Sequence, residues 1–454
     1  MMKTRSLICS LTLTGLVVAA ACGGEVPEEP VSTAVAYEGA TLITGDGGPP
    51  VGGGVLLVDQ GRITAVGLAA NVTIPDGATV VDLTGKTVMP TLVDLHGHVG
   101  FNQGLSFDNA NYTRENITDQ LNRYAYYGIG TIVSLGTDPG ELAFDIRAEQ
   151  EAGTLGGARL HTAFRGIARP DAGPGAATMR PTAFGASTEE EARAQVAEIA
   201  TTDADFVKIW VDDRGGSVDK LTTDLYGAII EAAHEHELQV IAHIFYQEDA
   251  RELVEAGVDG FAHLPRDMEM DDDLVAAIVE NDVFVMPNLS ISERGRHATP
   301  PDWVDDPLLA ESAAPDVLAR IRESFENRSD EAAETAGASY AAMERSLKKL
   351  ADAGARLVLG ADTGVQDHLQ GYTEHRELEL IATAGLSPAD VIKAATSVPA
   401  EVLGVDTGLL AAGRRADFLV LDANPMYGIS NTRQISAVYL GGERVDRDGM
   451  RAAW

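Results

Sequence analysis

Between Leu92 and Leu359, eight short apolar runs alternate with stretches of helical periodicity. The runs are Leu92 to Leu95, Thr131 to Ser134, Leu160 to Phe164, Phe206 to Val211, Val240 to Ala242, Gly260 to Ala262, Val283 to Val285 and Leu357 to Leu359. Strands this apolar are buried on both faces, and buried strands separated by helices build a parallel sheet. Eight of them close most economically into a (β/α)8 TIM-type barrel. The intervening helices, such as Glu189 to Ile199 and Ala389 to Ala395, are expected to pack one apolar face. One interruption follows the seventh run. There Thr299 to Pro315, rich in proline and acids, precedes an Ala/Glu-rich helix expected from about Asp316 to Ala353, and it reads as a lid or a surface insertion.

Both ends of the chain use a different pattern. Ala40 to Ile43, Val55 to Val58 and Arg62 to Val66 are short β runs broken by glycine, and Asp417 to Leu421 and Ala437 to Leu440 return to it. The expected organisation is α/β, with a barrel over residues 88–403 and a small β-sandwich domain built from residues 34–87 and 404–454. Before these lie a signal segment, residues 1–22, and a linker, residues 23–33. The basic start Met1 to Arg5, the apolar run Leu7 to Ala21 and the small residues before Cys22 resemble a bacterial lipoprotein signal with Cys22 as the lipidated residue. A simply cleaved export signal is the alternative. Either places the mature chain outside the cytoplasm, the first at the cell envelope through a lipid anchor. Cys9 and Cys22 are the only cysteines, so no disulfide framework supports the fold.

The charge balance excludes one class of partner. With 34 Lys+Arg against 69 Asp+Glu, the net charge is −35, which repels a phosphate backbone and argues against nucleic acid. A small-molecule substrate is the expected partner, a homo-oligomer is compatible with the composition, and the membrane enters only through the anchor at Cys22.

Barrel enzymes place their chemistry at the carboxyl ends of the strands, and several polar residues fall there. His96 and His98 follow Leu92 to Leu95, His243 ends Val240 to Ala242, and His263 ends Gly260 to Ala262. In an H-x-H pair on a strand both imidazoles share a face, as metal ligation requires. Lys208 sits inside Phe206 to Trp210, and Asp362 follows Leu357 to Ala361. A lysine among Phe, Val, Ile and Trp loses solvation, so its amine is driven toward neutrality. A neutral amine can add carbon dioxide and become an anionic carbamate able to bridge two metal ions. The bland alternative is an ion pair with Asp212 or Asp213. His234 and His236 are expected on a solvated helix face. His375 is read as a helix-surface residue or, failing that, a support for the ligands.

Met89 to His98, Gly360 to Thr363, Ala394 to Ser397 and Gly413 to Leu421 together resemble the amidohydrolase superfamily, from about Ala36 to Arg447. Val207-Lys208-Ile209 resembles its group of imidazolonepropionase-like proteins, Xaa-Pro and Xaa-Arg dipeptidases and acyl-amino-acid amidases. The resemblance implies two divalent metal ions, usually zinc. On that pattern His96, His98 and Asp362 hold one ion and His243 and His263 the other, while N6-carboxylated Lys208 and a hydroxide bridge them. Thr91 stands where the family usually has glycine.

Two cations sharing a water make hydroxide available near neutral pH, and Asp362 is the natural group to take its proton and return it to a leaving amine. The expected reaction is hydrolysis of an amide or peptide bond in a dipeptide or N-acyl amino acid. For the substrate carboxylate the candidates are Arg165, Tyr246 and Arg266, with Arg169 and Arg180 weaker. The alternatives are a mononuclear deaminase or cyclic-amide hydrolase, a lactone or phosphoester hydrolase, and a non-catalytic surface binding lipoprotein.

Overall fold

The computed structural model describes residues 32–454, so the signal segment, Cys22 and most of the linker lie outside the described residues. The strands of the two chain ends join in one eight-stranded mixed sheet. Its central strand, Val35–Leu42, pairs antiparallel with Val51–Asp59 and parallel with both Thr79–Asp82 and Thr87–Pro90. Phe418–Leu421 joins antiparallel to Thr87–Pro90, with Phe418 opposite Pro90. Tyr37, Phe418 and Tyr439 form an aromatic core here, the last two stacked with ring centroids 4.5 Å apart. The strand pairing thus gathers both chain ends into one shared sheet, as the expected joint domain requires.

Pro90 ends a strand of that sheet, and two residues later the chain enters the strand Leu92–Gly97. Seven of the eight expected internal strands form, each parallel to its neighbours. Leu92–Gly97, Ile129–Ser134 and Arg159–Thr162 make one ladder. Phe206–Val211, Gln239–Ile244, Gly260–Ala262 and Phe284–Met286 make another, extended by Ile167–Ala168 beside Phe206–Val211. The eighth run differs. Leu357 makes only an isolated bridge with Val285, and the Leu95 amide bonds the Leu359 carbonyl at 3.0 Å. Segment 357–363 therefore ties the two ladders together without being a regular strand, and the assigned strands do not form a continuous closed sheet. Asp362 turns to φ +53°, which ends extended backbone at that point. Val93, Leu95, Val133, Phe206, Ile241, Ala262, Phe284, Met286 and Val358 form the apolar cluster between the ladders, beneath the strand ends.

The expected long helix from Asp316 is two helices, Pro315–Glu326 and Asp330–Asp352. The break at residues 327–329 is set by Ser329, whose hydroxyl accepts from the Ala332 amide and caps the second helix. Among the described residues no helix is long and apolar enough to cross a membrane.

Candidate metal centre

His96 and His98 come from the end of the first internal strand, where the pairing register slips between Asp94 and Gly97. Val93 and Leu95 already face the interior cluster, so plain alternation would turn the next even-numbered residues away from it. The irregularity re-aims both imidazoles inward, as β-bulges beside active sites do. His98 Nε2 reaches Asp362 Oδ1 at 3.0 Å and His96 Nε2 reaches it at 3.4 Å. His263, held at φ +80°, places Nε2 3.8 Å from Asp362 Oδ2. The His243 and His263 rings are edge to face at 4.5 Å.

Five of the six expected ligands are thus linked, His96, His98 and His263 through Asp362 and His243 through His263. His96, His263 and Asp362 can each offer one donor atom within 4.8 Å of the others, as a metal site requires. Lys208 is fully buried, and Nζ has no hydrogen-bond partner among the described residues. Its stem lies against Gly136, where a Cβ would approach Lys208 Cγ to 2.6 Å. The expected alternative, an ion pair with Asp212 or Asp213, does not form. Asp212 instead faces His243 Nε2 at 3.1 Å, and Asp213 accepts from the Tyr246 hydroxyl at 2.8 Å.

The protonation states suit a divalent cation. Burial holds His96, His243 and His263 well below the usual imidazole range, helped by neighbouring cationic groups and, at His96, against the pull of Asp362, so they are neutral donors. Burial pushes the Asp362 carboxyl up, but His96, His98 and Lys208 outweigh it and keep the group below its ordinary value. Burial lowers the Lys208 amine to about 7 against the opposing pull of Asp362. Neutral imidazoles, a carboxylate and an amine free to leave its charged form are a donor set for zinc or a similar ion.

Several supporting residues escape a search restricted to histidine, lysine and acid at strand ends. Asn288, at φ +48°, accepts from the His263 amide at 2.9 Å through Oδ1, which also lies 3.3 Å from His96 Nδ1. Thr137 Oγ1 lies 2.9 Å from His98 Nδ1. Asp94 accepts from the His96 amide at 2.8 Å. Its carboxyl is pushed well up by burial and by Glu374, and burial raises Glu374 to about 7. The one available signal was positional, since Asn288 follows the seventh strand as His263 follows the sixth.

The substrate candidates separate. Arg165 gives Nε to the Thr182 carbonyl at 2.7 Å and stacks on Phe184 at 3.9 Å, so it fastens its own loop. Arg169 bonds the Ala186 carbonyl and Arg180 the Pro174 carbonyl. Tyr246 is committed to Asp213. Arg266 is the one brought to the candidate ligands, with a terminal nitrogen 3.3 Å from His243 Nε2 and 3.0 Å from the Ile244 carbonyl. Its Nε is buried without a partner among the described residues. His234 pairs with Asp259 on an exposed face, as expected, and His236 is exposed. His375 corrects its expectation. It is fully buried, and its ring nitrogens lie 3.0 Å from Thr432 Oγ1 and 2.7 Å from the Tyr127 carbonyl, away from the metal cluster.

Residues 87–445 match the family model described as the amidohydrolase family, and the chain belongs to that family. A solved prolidase candidate from Bifidobacterium longum is 27% identical with a TM-score of 0.73, covering 93% of this chain and 99% of that one. A Xaa-Pro dipeptidase solved with methionine in its active site is 21% identical with a TM-score of 0.70, covering 90% of this chain and 99% of that one, a likeness of fold. An uncharacterized protein of Mycobacterium tuberculosis is 25% identical over 240 residues, or 52% of this chain, and the match spans 57% of that relative.

Proposed function

We propose that the protein is a metal-dependent hydrolase that cleaves the amide or peptide bond of a small substrate bearing a carboxylate, a dipeptide or an N-acyl amino acid. Family membership and the likeness to a prolidase candidate support the hydrolase class. The observation that carries the reading is Lys208, a buried amine without a hydrogen-bond partner among the described residues, close enough to His96, His243, His263 and Asp362 for their charges to interact. In this reading the internal strands act as a (β/α)8 barrel. His96, His98 and Asp362 would hold one divalent ion, His243 and His263 a second, and Lys208 would join the two as its N6-carboxylate. Zinc bound there supplies Lewis acidity and lowers the pKa of water.

The chain's own groups do the rest. Asp362, kept anionic, accepts a proton at a carboxylate oxygen and returns it to the leaving amine. His98 and His96 orient that carboxylate. Asn288 and Thr137 fix the rings from behind, and such supports typically govern ligand geometry. Arg266 presents an unpaired Nε and a terminal nitrogen beside His243, and it matches a substrate carboxylate in charge and fork geometry. Replacing Arg266 by Gln should raise KM for carboxylate substrates, and equal KM would remove it from the substrate site.

The deciding experiment is metal content together with 13C NMR of protein expressed with labelled bicarbonate. About two ions per chain and a carbamate resonance support the bridged hydrolase. The close trio His96, His263 and Asp362 favours a second reading, a mononuclear deaminase or cyclic-amide hydrolase. One ion per chain and no carbamate would select it. We also propose export, with an anchor at Cys22. A Cys22→Ala variant that still pellets with membranes would remove the anchor.

A further inference from the structure

The loop from Gly364 to Gly371 begins two residues after Asp362. Its end glycines stand at φ +88° and +87°. A Cβ on Gly364 would lie 1.7 Å from the His98 carbonyl oxygen, and one on Gly371 would lie 2.1 Å from the Tyr127 ring. Only glycine serves at either end.

The loop is loosely packed on both sides. On one side a small void is lined by Arg294, Trp303, His368 and Tyr372. His368 is 4% exposed, and neither ring nitrogen has a partner among the described residues. On the other side a cavity of ≈ 270 Å³ is lined by Gln103, Gly104, Val317, Gln366 and Gln370. Gln370 Nε2 and both amide atoms of Asn102 are buried there without partners among the described residues. Unpaired buried polar groups disfavour the arrangement that buries them, so something else must hold the loop in place.

That hold is Asp367. Arg320 Nε donates to Asp367 Oδ1 at 2.8 Å, and an Arg294 terminal nitrogen lies 3.4 Å from Oδ2. The other ends of the Arg320 guanidinium reach the Leu105 carbonyl at 2.6 Å and the Gly104 carbonyl at 3.5 Å. Gly104 and Leu105 are the tip of the hairpin of Asn102–Gln103 and Ser106–Phe107, which follows His98. Arg320 itself belongs to Pro315–Glu326, in the segment that interrupts the strand pattern. One guanidinium therefore joins the loops that leave His98 and Asp362.

We propose that Arg320 is the latch of a two-loop gate at the mouth of the metal centre. With the Arg320 guanidinium seated on Asp367 and on the Gly104 and Leu105 carbonyls, hairpin 102–107 and loop 364–371 are held against the insertion. With the guanidinium withdrawn, the loop moves on its glycine ends into the space beside it and exposes His368, and the hairpin is released as well. The latch rests on geometry alone, while its role in admitting substrate rests on the hydrolase reading.

Hydrogen–deuterium exchange on the full chain tests it, with melting temperature and metal content followed in parallel. Arg320→Ala should speed exchange of peptides 102–107 and 364–371 together, by roughly three- to tenfold as expected for loss of a partly buried ion pair, with melting temperature and metal content unchanged. Arg320→Lys keeps the ion pair but cannot span to the hairpin, so it should release 102–107 while 364–371 stays protected. Asp367→Asn should release 364–371 alone. Wild-type exchange in both segments of the Ala variant, or equal loosening of all the internal strands, would overturn the latch. If a substrate is found, the Ala variant should change KM and kcat unequally. If none is found, the exchange result still decides the gate.

Discussion

His98 Nε2 and Asp362 Oδ1 meet at 3.0 Å, so the end of the first internal strand and the segment standing in for the eighth are joined at the Asp362 carboxylate. The same two positions are joined through the backbone, with the His98 amide on the Thr363 carbonyl at 2.7 Å and the Asp362 amide on the His96 carbonyl at 2.7 Å. A carboxylate fixed on both sides is pre-organised to exchange a proton without moving.

Asp362→Asn preserves volume and removes the charge and the proton acceptor. Turnover should fall roughly a hundred- to ten-thousandfold, the usual contribution of a positioned acid–base group, with circular dichroism unchanged. Steady-state kinetics on any substrate found by a dipeptide screen would show this. Unchanged turnover would remove the proton shuttle.

Lys208→Met tests what the buried amine does. Folding lowers the lysine from its ordinary 10.5 to about 7. Between those values the unfolded chain binds the proton and the folded chain does not, so stability rises with pH through that window, and the destabilisation is complete below about 7. In metal-free protein the methionine variant should be more stable by about 1–3 kcal/mol below pH 7, by relief of unpaired polar burial. In metal-loaded protein it should lose bound metal. Chemical denaturation with and without chelator separates the two effects.

Asn288→Ala removes the acceptor that serves both the His263 amide and the His96 ring. Metal affinity should fall about ten- to a hundredfold, as for other groups that orient ligands. Asn288→Asp, which keeps the acceptor and tolerates positive φ, should retain most of it. Competition with a chromophoric chelator measures both variants, and equal affinity in the alanine variant would separate Asn288 from the metal centre.

His375 gives a pH signature remote from the candidate metal ligands. Burial lowers its pKa from 6.5 to about 4. Below pH 6.5 the unfolded chain takes up a proton that the folded chain refuses, so this contribution is full above 6.5 and is lost as pH falls toward 4. His375→Gln should be less stable at pH 7 by about 1–3 kcal/mol, for the hydrogen bonds lost, and its melting temperature should fall less between pH 7 and 4.5. A parallel fall in both proteins would mean that the acid limb arises from other groups.

By itself the sequence determined the α/β class, seven of eight strand positions and the polar residues at their ends, because strand burial and strand-end placement leave a periodic trace in a single chain. The break between Glu326 and Asp330 left a weaker trace, one serine in an otherwise helical run. Only the tertiary structure decided which arginine lies against a candidate ligand. Arg165 and Arg266 look alike in sequence and both bond a backbone carbonyl, and the difference is that Arg266 also lies against the His243 imidazole. It also decided that Lys208 makes no ion pair with Asp212 or Asp213, that Asn288 meets both His96 and His263, and that Arg320 bridges the loops behind His98 and Asp362. Each of these is a distance between segments far apart in the chain, and such distances are set by how the ladders pack, for which periodicity along one segment holds no information.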